Sequence, residues 1–71
     1  MRKDFFIVMK KVKNHPWKVG QFLSGYALSN GYVLGGFNIG NNVKRELIAL
    51  GNIRRVSKKE LVETLIGRNV L

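Results

Sequence analysis

Val19-Gly20-Gln21-Phe22-Leu23-Ser24-Gly25-Tyr26-Ala27-Leu28-Ser29 is the stretch on which the fold turns. Val19, Phe22, Leu23, Tyr26 and Ala27 recur at i, i+3, i+4, i+7 and i+8, the spacing of one apolar helix face. That spacing predicts a helix ending near Ser29, with Asn30-Gly31 as its stop. Gly20 and Gly25 weaken such a helix by about 1 kcal/mol each relative to alanine, and they suit close packing by another element.

On the N-terminal side, Phe5, Phe6, Ile7, Val8 and Met9 form a bulky, β-branched run too short for a helix, which predicts a central strand. In the basic segment that follows, only Val12 is expected to point inward. Asn14-His15-Pro16 then signals a turn and a helix start, with Pro16 at the first helical position.

On the C-terminal side, Tyr32 to Ile39 predicts either one kinked strand or a tight hairpin turning at Gly35-Gly36. Asn41 or Asn42 caps a second helix with Val43, Leu47 and Leu50 on one face and Gly51 at its end. Ile53 to Val56 predicts a short extended segment at an edge. Ser57 and Glu60 form a capping box, and Val56 with Leu61 a hydrophobic staple, at the start of a last helix. Leu61, Val62, Leu65 and Ile66 are its expected buried face, with Gly67 as its stop. The expected fold is a small single α+β domain, residues 1–71, with a short two- or three-stranded sheet packed against about three helices.

Charge is distributed unevenly along the chain. Val19 to Val43 carries none, while the segment before it holds six basic residues against Asp4, and the segment after it seven against Glu46, Glu60 and Glu63. The net charge is +9, which predicts an anionic partner. The absence of cysteine removes disulfides, zinc ribbons and thiol chemistry, and fits a cytoplasmic protein. The uncharged stretch could span a bilayer by length, but seven Ser, Asn and Gln residues within it make insertion unfavourable, so no membrane contact is expected.

Enzyme chemistry lacks its parts. No acids pair at a general acid–base spacing, no Ser–His–Asp set is legible, and no phosphate-loop motif follows the glycines before the second helix. His15, beside Pro16 and Trp17, is expected to cap a helix or stack on Trp17. No metal or cofactor is expected. The basic residues Lys44, Arg45, Arg54, Arg55, Lys58 and Lys59 fall on three successive elements, and one shared surface made from them would neutralise several phosphates.

The stretch Val43 to Leu65, about a third of the chain, resembles the second half of excisionase-type winged-helix regulators of phages and mobile elements. The likeness lies in a helix ending at Gly51, the basic segment with Arg54-Arg55, and the Ser57-Lys58-Lys59-Glu60-Leu61 helix start. It implies that Lys44 and Arg45 face the DNA major groove while Arg54 and Arg55 touch backbone, and it favours DNA over RNA. The chain departs from that pattern in the shortness of Gly51 to Val56 for a wing and in its N-terminal strand.

The function expected from these features is that of a small basic non-enzymatic regulator binding nucleic acid through its C-terminal half. The alternative is a phage-type module that docks on RNA polymerase or another large host machine and modulates transcription. Its docking patch would hold Trp17, Tyr32 and Phe37, aromatics outside the expected helical face or bordering glycines. A homodimer that completes a small core fits either reading.

Overall fold

The computed structural model describes the backbone of residues 2–70 and the side chains of residues 2–67. The apolar run at the N-terminus forms strand β1 (Asp4–Val8). Phe6 and Val8 are buried on one face of it, and Phe5 and Ile7 are half-buried on the other.

The predicted helix over 19–29 is instead strand β2 (Phe22–Leu28). Its apolar residues satisfy both periods: Leu23 and Ala27 share one face, Phe22 and Tyr26 the other. Two glycines decide between them. Gly20 sits at φ +88°, which breaks a helix entry. Gly25 lies beneath the Tyr32 ring, where a Cβ would stand 2.5 Å from Tyr32 Cε2. The helix start expected at Pro16 is likewise absent; turns at residues 13–14 and 19–20 flank an irregular stretch through Pro16, with Asn14 at φ 69°.

Asn30-Gly31, read as a helix stop, is part of a hairpin in which Leu28 pairs Gly31. Strand β3 (Gly31–Leu34) follows, then β4 (Phe37–Ile39). Of the two alternatives for residues 32–39 the hairpin is realised. Gly35 and Gly36, at φ 57° and 85°, supply the two positive angles that a two-residue turn of this hand needs.

Helix α1 (Asn41–Ala49) crosses back, strand β5 (Ile53–Val56) pairs with β1, and helix α2 (Lys58–Val70) closes the order. The sheet is antiparallel throughout, in the order β4-β3-β2-β1-β5. The fold is therefore a small α+β domain of five strands and two helices, which corrects the expected short sheet with about three helices.

Its core lies on one face of the sheet. Phe6, Val8, Leu23, Tyr32, Leu34 and Ile53 meet Val12 and Trp17 from the β1–β2 connection, and Leu47 of α1 packs against them. Val12 points inward as expected. The α1 face is narrower than expected, because Val43 and Leu50 are exposed and no residue of the helix is fully buried. Gly40, not an asparagine, occupies its N-cap, and Gly51 at φ 77° follows its end.

The start of α2 follows its sequence in part. Glu60 N–H donates to Ser57 Oγ at 3.0 Å, and Val56 is buried. The Glu60 carboxylate, however, turns to Arg54 rather than back to the cap. Val62, Leu65 and Ile66 are exposed, not buried, and the helix continues through Gly67 to Val70.

Candidate functional site

The sheet register gathers the basic residues. β1 is antiparallel to β5, so Phe5 lies opposite Val56, and the hairpins return Ile39 opposite Tyr32. Both helices therefore start from the end of the sheet at which β1 begins. Arg2 and Lys3 precede β1 there. Lys44 and Arg45 lie early in α1, Arg55 lies near the end of β5, and Lys58 and Lys59 open α2.

Tyr32 and Asp4 hold this end together. The Tyr32 hydroxyl donates to Asp4 Oδ2 at 2.9 Å, and the Arg55 guanidinium donates to Oδ1 at 2.8 Å. The Lys44 ammonium stands 4.4 Å from the centre of the Tyr32 ring, a cation–π contact. Burial, followed by the Asp4 hydrogen bond and charge, pushes the Tyr32 phenol well above its ordinary titration range, with Arg55 opposing. Asp4 is half-buried, so its pair with Arg55 is sheltered more than an open surface pair.

Beside this link lies a cleft of about 470 Å³ lined by Arg2, Lys3, Arg55 and Lys58, with Asp4 and Phe5. Four cations face one carboxylate, and that carboxylate already accepts from both Arg55 and Tyr32. The start of α2 opens onto the cleft through Ser57 and Lys58, adding the partial positive charge of a helix N-terminus. Such a recess favours an anion with several oxygens.

The six basic residues expected from sequence divide. Lys44, Arg45, Arg55, Lys58 and Lys59 reach the same end of the sheet. Arg54 does not join Arg55, because successive strand residues point to opposite faces; it pairs with Glu60 at 3.0 Å. Arg45 folds back on its own helix, onto Asn41 and Asn42. Arg2 and Lys3 enter the cleft through the β1–β5 pairing, which nothing in the local sequence announces. The alternation of Arg54 and Arg55, by contrast, follows from reading Ile53 to Val56 as extended.

Other lysines act as tethers. Lys10 Nζ donates to the Leu50 carbonyl at 3.2 Å, at the end of α1. Lys11 Nζ donates to the carbonyls of His15 at 3.3 Å and Trp17 at 3.4 Å.

The aromatic patch expected at Trp17, Tyr32 and Phe37 is reduced to one member. Trp17 and Tyr32 are core side chains, 2% and 1% exposed, while Phe37 is 39% exposed and meets Trp17 edge-on at 5.7 Å. His15 stacks on Trp17 at 4.3 Å, one of the two roles expected of it. Among the described residues no group of three or more His, Cys, Asp or Glu side chains comes together to hold a metal. Nor is any helix among them long and apolar enough to cross a membrane.

No protein-family model, no curated protein and no solved structure matches this chain.

Proposed function

We propose that this protein is a small, non-enzymatic regulator that binds nucleic acid by its phosphates, at the end of the sheet where both helices begin. One observation carries the reading: Arg2, Lys3, Arg55 and Lys58 line a single cleft, with Asp4 its one acid among the described residues. Lys44, Lys59 and the two helix starts extend that positive field. The likeness of residues 43–65 to excisionase-type regulators favours DNA over RNA. Four cleft cations matched to four phosphates give a slope of log Kobs against log salt of about −3.6 on duplex DNA and about −2.8 on a single strand.

Fluorescence-anisotropy titration against random duplex DNA, single-stranded DNA and RNA at several salt concentrations tests the reading. Binding of at least one form, steeply weakened by salt, is expected. Absence of binding at low salt, or binding indifferent to salt, overturns it. The rival reading, docking on RNA polymerase or another acidic machine, draws no support from the Trp17 and Tyr32 side chains, which are packed into the core.

A further inference from the structure

The opposite corner of β5 carries a different surface. Among the described residues β5 is an edge strand, with β1 on one side of it and no strand on the other. Met9 N–H and Lys10 N–H both donate to the Asn52 carbonyl, at 2.8 and 3.2 Å, which marks a bulge and fixes the phase of the ladder. Counting from that bond, Arg54 and Val56 turn their backbone groups toward β1, so Ile53 and Arg55 turn theirs outward. Among the described residues those outward N–H and C=O groups have no hydrogen-bond partner.

Where this edge meets the end of α1 there is a groove of about 420 Å³. Met9, Ile48 and Ile53 supply its apolar lining, and Lys10, Arg54 and Arg55 its charge; among the described residues no acid lines it, though Glu60 and Asp4 reach Arg54 and Arg55 from outside it. Met9 is 47% and Ile48 42% exposed, although both are large and apolar. An open strand edge beside exposed apolar side chains accepts an added strand. The occupant's chemistry follows from the charges. A second copy of this chain, also at net charge +9, is repelled. A strand that alternates Asp or Glu with Val, Ile or Leu pairs its backbone with Ile53 and Arg55. It seats its apolar side chains on the face of Ile53 and Ile48 and offers its carboxylates on the other face, where Arg54 lies.

We propose that the groove formed by β5 and the end of α1 binds an extended acidic peptide segment of a partner protein by strand addition. Arg55 lines both this groove and the basic cleft, whereas Met9 and Ile48 lie outside the cleft, so the two readings are separated through Met9 and Ile48.

The test is selection of a displayed library of eight-residue peptides, alternating Asp or Glu with Val, Ile or Leu, on the full chain and on its Ile48→Glu variant. Peptides enriched on the unmodified chain should bind Ile48→Glu at least about tenfold more weakly. On saturation they should slow hydrogen exchange at the Ile53 and Arg55 amides about tenfold or more. Their backbone N-methylated forms should not bind. Thermal melts confirm that Ile48→Glu folds; if it does not, Met9→Glu replaces it. Equal enrichment on the variant, protection confined to other amides, or no enrichment at all overturns the proposal. The nucleic-acid salt slope of the same variant should be unchanged, so loss of peptide binding and loss of phosphate binding are read separately.

Discussion

Tyr32 on β3 donates its hydroxyl to Asp4 on β1 at 2.9 Å, passing over Gly25 on the strand between them. The link requires a bare position on β2, and Gly25 provides it. A methyl group there meets the Tyr32 ring at 2.5–2.8 Å, and the ring is buried and held at its far end by Asp4. Gly25→Ala should therefore destabilise the fold by about 2–3 kcal/mol. Urea denaturation measures it, and a loss under about 0.5 kcal/mol would mean that the ring has room to move.

The same hydroxyl should make stability fall in alkali. Burial comes first, then Asp4, in raising the Tyr32 pKa above its ordinary value of 10.0. A group raised in the folded state contributes stability that is complete below about pH 10 and is lost as pH climbs through the folded value. Urea midpoints taken between about pH 8 and 11 should drop more steeply for the native chain than for Tyr32→Phe. Parallel curves would remove Tyr32 as the cause.

Arg55 and Arg54 should separate in binding, though they are neighbours in sequence. Arg55→Ala with Lys58→Ala removes two cations from the cleft and should lower the magnitude of the salt slope on nucleic acid by about 2. Arg54→Ala, on the opposite face and paired with Glu60, should leave the slope as it is. The reverse result would move the phosphate contact to the other face of β5.

The two glycines of the β3–β4 turn should also differ. Gly36 sits at φ 85°, and a Cβ added there would meet nothing within 4 Å, so Gly36→Asn should cost about 1 kcal/mol or less. At Gly35 a Cβ would stand 2.7 Å from Trp17 Nε1 and 3.0 Å from Leu23 Cδ2, both core side chains. Gly35→Ala should cost about 3 kcal/mol and shift the emission of Trp17, the single tryptophan. Equal costs at the two positions would show that the turn alone, and not the packing beneath it, sets the requirement.

Much of this architecture is legible in the sequence where one local signal stands alone. The Phe5–Met9 run, the Gly51 terminus, the extended Ile53–Val56 segment and the Ser57 cap each have one physical reading. Phe22, Leu23, Tyr26 and Ala27 have two, because adjacent pairs four residues apart suit a helix face and also populate both faces of a strand. The feature that decides between them, the Tyr32 ring over Gly25, is a contact between two strands that no local period reveals. The candidate site is legible to the same degree. Lys44, Arg45, Arg55, Lys58 and Lys59 are visible as a basic run, whereas Arg2 and Lys3 join it only through the pairing of Phe5 with Val56. Trp17 lies between Pro16 and Lys18 in a polar connection, and its burial comes from the sheet face that this connection crosses.

The position of β1 has a consequence for how the chain is made. β1 is synthesised before β2 and β5, yet it ends between them. Its β2 side can close as soon as the first hairpin forms, but its other side stays bare until Ile53–Val56 has been synthesised. Closing that gap joins residues far apart along the chain, which makes it the slow step. Until then the nascent protein presents an unpaired apolar edge that fits its own β5, and fits equally the β5 of a copy on the neighbouring ribosome. Strand exchange between chains of one polysome is the misassembly this topology invites.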